Sequence, residues 1–269
     1  MPRVTEYQPG YPTWVELASP DLEMSKHFYC EVFNWYAYTL TLDHIGEYEM
    51  FVLGDVQGPE IGGMYQLIDD SMPSSWTVYF RTDDPVASLD LVREAGGRVL
   101  VEPLDVAHLG RLAQASDPQG ADFGLWLPYD LKGAGVVDEA SAMCWAEVSS
   151  PDPDAGRGFY SHVFGWKPVD RTYYGRPYVE FKVGERSVAG MVAPQQRWAP
   201  DVFSHWMPYF WVSDCDAAVA RAAELGARIH VPPVTIETGR LAIMSDPGGA
   251  RLAVVTPVYA DLQAAKLAP

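Results

Sequence analysis

The sequence predicts an α+β fold of four tandem strand-helix-strand-strand-strand (βαβββ) modules, paired into two cup-shaped mixed-sheet domains. Three observations predict it. First, the chain repeats itself, and self-similarity of this kind sets the architecture before any single element does: WVELASPDLEMSKHFYCEVFNW (Trp14–Trp35) returns as WAEVSSPDPDAGRGFYSHVFGW (Trp145–Trp166). Second, Ser74–Phe80 returns as Ser204–Phe210, and Gly110–Pro128 returns as Gly239–Pro257, in the same order. Third, each copy splits again, because a strand followed by an amphipathic helix starts twice within it. These repeats divide the chain into domain one (11–130), a linker (131–141) and domain two (142–259).

Within domain one, the run Thr13–Leu17 reads as a strand ended by Pro20-Asp21. Leu22, Phe28, Tyr29, Val32 and Phe33 then fall on one helical stripe. Tyr36–Thr41, Tyr48–Leu53 and Ile61–Tyr65 have strand character and are separated by Gly-containing turns. The order restarts with a strand at Trp76–Arg81 and a helix at Pro85–Ala95. That helix turns Val86, Leu89 and Val92 inward, and Gly96-Gly97 ends it as a left-handed cap. Strands follow at Arg98–Val101, Leu112–Ser116 and Phe123–Pro128, and Asp117-Pro118-Gln119-Gly120 carries a type I turn signature. Gly62-Gly63 and Ala189-Gly190 suit strand bends or close approach of sheet and neighbour.

Composition bounds the function. With 269 residues, 48% apolar and 20% charged, the chain is long enough to build its own core and is not a disordered polymer. Lys+Arg is 19 against Asp+Glu 36, a net charge of −17 that repels nucleic acid and anionic membrane surfaces. Cys30, Cys144 and Cys215 form no C-x-x-C spacing and no disulfide framework. No apolar run approaches the roughly 18 residues of a membrane span, and MPRVTEYQPGYPTW lacks a signal-peptide core, so a cytoplasmic protein is expected. No phosphate loop, dinucleotide fingerprint or nucleophile elbow is present, and no cofactor is expected. Nine Trp, 15 Tyr and 10 Phe make 13% aromatic, which suits either a core of large side chains or an aromatic-lined pocket.

The module pattern, PDLEMSKHFYCEVFNW with PDPDAGRGFYSHVFGW, and SDPQGADFGLWLP with SDPGGARLAVVTP, resembles the vicinal oxygen chelate superfamily. That superfamily includes glyoxalase I, bleomycin-resistance proteins and extradiol dioxygenases, and the two-domain arrangement is similar to that of actinobacterial members. The resemblance implies that each pair of modules curves into a cup whose concave face holds a ligand or metal. It also implies where metal ligands would stand: a His at Trp14 and Trp145, a second ligand at Thr77 and Met207, and a Glu at Gly124 and Ala253. All three signature ligands are missing in both domains, and Trp, Met, Gly and Ala cannot bind a divalent cation through their side chains, so the fold is expected without the shared metal chemistry.

Strand alternation assigns the faces. Val15 and Leu17 pack under the helix, so Trp14 and Glu16 point into cup one, and Trp145 and Glu147 point into cup two. Thr77, Tyr79 and Arg81 face cup one with Gly124 and Trp126, whereas His205, Met207, Tyr209 and Trp211 face cup two with Ala253 and Val255. Tyr178, Glu180 and Lys182 join cup two.

The recurring pairs Glu16–Tyr79 and Glu147–Tyr209 are the candidate catalytic groups. A carboxylate desolvated among Trp rings has a raised pKa and serves as general base or acid, and a tyrosine hydroxyl opposite it donates to a carbonyl or enolate oxygen. The same pairs could equally tie the sheet together. Candidate substrate contacts are Trp14, Trp126, Trp145 and Trp211 as aromatic walls, with Thr77, Arg81, Glu180 and His205 as polar groups. Arg81 suits an anionic or carbonyl group. His44, His108, His162 and His230 read as surface residues. Inward positions have diverged between the copies, so one dominant site is expected, in domain one, where Arg81 and Thr77 add polar orientation.

The expected function is a metal-independent small-molecule enzyme (isomerase, cyclase, hydrolase or lyase) acting by Glu/Tyr proton transfer on an aromatic or polyketide-like metabolite. One alternative is a drug-sequestering protein similar to bleomycin-resistance proteins. Another is a metal enzyme with ligands displaced to His205, Glu147 and Glu180. The partner is a small aromatic molecule, and the chain is expected as a monomer or homodimer.

Overall fold

The structure is a computed structural model describing residues 3–42, 46–69, 71–173, 175–193 and 204–258. His44 and the last residue of the expected second domain lie outside these. In domain one, β1 (Pro12–Ser19), α1 (Leu22–Phe33), β2 (Trp35–Leu42), β3 (Gly46–Leu53) and β4 (Glu60–Gln66) form the first module. The second module is β5 (Ser75–Arg81), α2 (Pro85–Glu94), β6 (Arg98–Val106), β7 (Gly110–Ser116) and β8 (Asp122–Pro128). Domain two repeats the order with β9 (Met143–Ser149), α3 (Pro153–Phe164), β10 (Lys167–Tyr173), β11 (Arg176–Val183) and β12 (Arg186–Val192). It finishes with β13 (His205–Trp211), α4 (Cys215–Glu224), β14 (Arg228–Ile236), β15 (Gly239–Ser245) and β16 (Arg251–Pro257).

Each domain is one eight-stranded sheet, ordered β2-β3-β4-β1-β5-β8-β7-β6 and β10-β11-β12-β9-β13-β16-β15-β14. The two modules of a sheet meet at an antiparallel seam, β1 on β5 and β9 on β13. Strands β1 and β4, and β5 and β8, run parallel, which makes the sheet mixed. Each seam carries a register shift, near Thr13 in one domain and near Cys144 in the other.

The helices start where the sequence supplies an acceptor. Asp21, Asp84, Asp152 and Asp214 accept backbone N–H groups of the first turn, satisfying donors that a helix leaves unpaired. Asn34 and Gly165 close α1 and α3 in the left-handed region at φ 56° and 66°. One expectation fails on α2, where Val86 is 52% exposed. The buried stripe is Pro85, Leu89 and Val92, at spacings of four and three, and Val86 sits one position off it, turned toward solvent. Strand β6 also runs five residues beyond its expected end, to Val106. Its ladder shifts register on either side of Val101 and passes Pro103 at the sheet's edge, the place where a missing N–H is tolerated.

The helical faces of the two sheets pack against each other, α1 beside α4 and α2 beside α3, around one continuous core. This contact is reciprocal. Phe210 of domain two lies 5.2–5.6 Å from the rings of Phe33, Trp35 and Trp76. Phe80 of domain one lies 4.9–5.3 Å from those of Phe164, Trp166 and Trp206. Tyr29 donates to Asp246 and Tyr160 donates to Asp117, both at 2.9 Å. Trp76 and Trp206 donate in turn to those tyrosine hydroxyls. Trp35 reaches the carbonyl of Ser141, and Trp166 that of Gly10. The repeated Phe-Tyr, Trp and Asp-Pro motifs are thus the seam between domains, and much of the aromatic content is spent there and not on a pocket.

Candidate functional site

The outward faces of the sheets are the cups, and the buried clusters follow the alternation of the strands. Val15, Leu17, Val78 and Phe80 belong to the interdomain core, while Trp14, Tyr79 and Trp126 join a separate cluster in cup one. Met207, Tyr209, Ala253 and Val255 form the corresponding cluster in cup two, with Trp145 and Trp211 against it.

In cup one, Tyr79 donates to Glu16 at 2.7 Å, and Gln114 donates to the Tyr79 hydroxyl at 2.7 Å. From the other side, Trp14 donates to Tyr48 at 3.2 Å, and Tyr48 bonds Glu16. Donors therefore converge on one carboxylate along two relays. Glu16 is 9% exposed, and burial raises its pKa against the lowering effect of both tyrosines. Burial and the nearby Glu16 push the Tyr65 phenol up to about 12. Two glycines make room for the rings. A Cβ on Gly63 would meet the Tyr48 hydroxyl at 2.1 Å, and one on Gly124 would meet the Tyr79 ring at 2.1 Å.

Cup two repeats this arrangement with changes. Tyr209 donates to Glu147 at 2.8 Å, Trp145 donates to Tyr178 at 2.9 Å, and Tyr178 bonds Glu147. Burial raises the Glu147 pKa as well, and a Cβ on Gly190 would meet the Tyr178 hydroxyl at 1.7 Å. The strand neighbour that supplies Gln114 in cup one supplies Ile243 here. Where cup one has Met50, cup two has Glu180, held by Arg171 at 3.0 Å, Ser187 at 2.5 Å and Lys182 at 3.3 Å. Burial works to raise the Glu180 pKa, but Ser187, Arg171 and Lys182 together hold it below the usual value.

The remaining expected contacts fall out as follows. Thr77 stands beside Glu16, and Met207 beside Glu147. Arg81 lies on the cup-one face with its guanidinium 2.6 Å from Asp83. Trp126 donates to the carbonyl of Leu131, which draws the linker over cup one. His205 pairs across the seam with Ser149 at the far end of cup two, and Trp211 edges the cup-two cluster. Tyr48 and Gln114 were not singled out from the sequence. The signal for Tyr48 was its counterpart Tyr178, already placed inward. For Gln114 the signal was strand parity with Leu112.

A family sequence pattern described as "Glyoxalase/Bleomycin resistance protein/Dioxygenase superfamily" matches residues 12–125 and again 143–254. The chain belongs to that superfamily. A curated member, the anthracycline biosynthesis protein DnrV of Streptomyces peucetius, is 35% identical over 263 residues, covering 94% of this chain and 95% of its own. Among solved structures, the 2,3-dioxygenase LapB of Pseudomonas sp. KL28 superposes with TM-score 0.62 at 14% identity, covering 94% of both chains. The Mn(II)-bound glyoxalase of Novosphingobium aromaticivorans gives 0.61 at 15%, over 94% of this chain and 83% of its own. These structural likenesses speak to the fold alone.

The metal positions of the superfamily do not fit a divalent ion here. They hold Trp14, Thr77 and Gly124 in cup one, and Trp145, Met207 and Ala253 in cup two, and the Tyr79 ring lies where a side chain at 124 would project. Among the described residues no group of three His, Cys, Asp or Glu is placed to hold a metal, so Glu147, Glu180 and His205 do not assemble into a displaced site. Also among them, no helix is long and apolar enough to cross a membrane.

The raised carboxyls have a consequence for stability. Glu16 and Glu147 hold their protons more tightly folded than unfolded. Their contribution is therefore complete below the ordinary value of 4.5 and is lost as pH rises through the folded pKa. A Glu16→Gln, Glu147→Gln chain should lose less stability between pH 5 and 8 than the parent in urea titrations at fixed salt. Parallel curves for the two chains would refute the coupling.

Proposed function

We propose that this chain is a small-molecule enzyme of secondary metabolism that moves protons on an aromatic, polyketide-derived compound. The observation carrying this reading is the carboxyl in each cup, buried in cup one and half-buried in cup two, fixed by two tyrosines, with a Glu–Tyr contact of 2.7 or 2.8 Å. The name of DnrV, given for anthracycline biosynthesis, supports the substrate class. The side chains at the superfamily's metal positions support chemistry run on protein groups.

The geometry supplies the steps. A glutamate in its carboxylate form takes a proton from an acidic carbon or hydroxyl of the substrate. Once protonated, it no longer needs both tyrosine donors, and the tyrosine O–H turns to the substrate oxygen on which charge develops. Returning the proton to a different atom completes an isomerisation or opens the way to ring closure. Burial favours the exchange by raising the carboxyl pKa above its ordinary value.

The test is incubation in deuterium oxide with a panel of polycyclic aromatic ketones bearing exchangeable hydrogens, read by mass spectrometry. Deuterium incorporation or a new product that requires the chain is expected. Saturable binding with neither outcome would replace this reading with that of a sequestering protein.

A further inference from the structure

The two cups are built alike but are not equally available. In cup one, Trp14, Tyr48, Met50, Tyr79 and Trp126 are all buried, and the linker residues Leu131 and Ala134 pack onto them. At the matching positions of cup two, Trp145 and Tyr178 are half-buried, as is Glu147, while Glu180, Tyr209 and Val255 are buried. The relays differ in the same sense. Gln114 occupies the Tyr79 hydroxyl in cup one, so each tyrosine there both accepts and donates. Ile243 cannot do this for Tyr209, whose hydroxyl oxygen keeps acceptor capacity toward the cup.

Charge and shape add to this. Three cations, Arg171, Lys182 and Arg186, sit along the β10-β11-β12 side of cup two, where Glu180 and Asp138 pair with them and Glu147 is the third carboxyl group. The matching strand positions to Arg171 and Lys182 in cup one are Leu40 and Val52. In a chain of net charge −17, cup two thus presents cationic side chains at positions where cup one presents apolar ones. A narrow crevice of about 40 Å³ opens beside Trp145, Ser187 and Arg186, and Tyr7 and Tyr11 of the first domain wall it. The Arg186 guanidinium lies 5.3 Å from the centre of the Tyr11 ring. The opposite side of cup two, Met207, Val255, Leu241 and Ile243, is apolar.

We propose that cup two is the working cup, that cup one is its structural counterpart, and that cup two takes a planar aromatic compound bearing a carboxylate. The rings lie on the apolar side near Met207 and Trp211, and the acid group meets Lys182, beside the crevice that Arg186 lines. The role of Glu147 in turnover rests on the proton-transfer reading above; the binding assignment does not.

The experiment is calorimetry and tryptophan quenching on the full chain, with anthraquinone-2-carboxylate and the neutral 2-methylanthraquinone as probes. One equivalent of the acid per chain is expected, bound at least tenfold more tightly than the neutral compound. Lys182→Met should weaken the acid at least fivefold and leave the neutral probe unchanged. Ile243→Gln, which closes the relay as Gln114 does, should weaken both probes. Gln114→Ile and Thr77→Met should alter neither. Thermal melts of every variant separate lost binding from lost folding, and where Lys182→Met fails to fold, Lys182→Gln takes its place. Two equal sites, no preference for the acid, or sensitivity confined to the cup-one variants would overturn the assignment. Binding in cup two with no turnover of any such compound would remove the proton-transfer reading and leave the cup assignment standing. Turnover lost with Glu16→Gln but not with Glu147→Gln would do the reverse.

Discussion

Replacing Phe80 and Phe210 together by alanine is expected to remove most of the chain's stability. Each ring is fully buried and sits in a cage of three rings from the opposite domain. Truncating a buried Phe costs about 3–5 kcal/mol in lost transfer energy and cavity, and lost edge-to-face contacts add about 0.5–1.5 kcal/mol per pair. Domains of ordinary size hold only about 5–15 kcal/mol in total. Strands β5 and β13 touch, so the two effects will not simply add. Urea denaturation should show each single variant with a lower midpoint and the double variant unfolded or nearly so in buffer. A midpoint within error of the parent for either single variant would mean that the cages are not what holds the domains together.

The second large effect concerns Glu147. Glu147→Gln should lower kcat about 10²–10⁴-fold on a compound the chain turns over, the range for losing a positioned acid or base. The amide keeps the size of the side chain and still accepts from Tyr209, so binding should change less than twofold. The pH dependence decides whether the loss is one of chemistry. Burial raises this carboxyl, so the parent's rate should rise with pH as it ionises, above the ordinary carboxylate range, and the residual rate of the variant should lack that limb. A rate limb unchanged in the variant would assign the titration to another group.

Much of this was legible in the residues, because both periodicities are clean. In β1 and its copy, Val15, Leu17, Ala146 and Val148 alternate with Trp14, Glu16, Trp145 and Glu147, and one parity choice fixed the cup face. The repeat then confirmed each choice twice. What escaped the sequence was long-range partnership. Asp117 read as a turn residue, which it is, and Asp246 holds the matching place in the second copy, each accepting backbone N–H groups of its own turn. Their second role, as acceptors for Tyr160 and Tyr29 of the other domain, has no local trace. The turn of the Arg81 guanidinium toward Asp83 also has no trace in the order of residues at a strand end. Val86 misled because an apolar residue at the start of a helix fits two neighbouring stripes and only packing chooses between them. The closing of cup one depended on Gln114 meeting Tyr79 across intervening β8, which the order of strands reveals and the order of residues does not.

The exchange of motifs across the seam also shapes how the chain comes to fold. Tyr29 waits for Asp246, a partner 217 residues later, and Trp35 waits for Ser141. Contacts of such separation slow folding, because loop closure precedes any return from them. During synthesis the amino-terminal half emerges first, with the face formed by Phe33, Trp35, Trp76 and Phe80 still uncovered, and such a face invites association with other chains. Tethering both halves in one polypeptide supplies the missing surface at high effective concentration as soon as it is made. The duplication therefore acts as a built-in chaperone, and its advantage is greatest in the interval between completion of the first half and completion of the second.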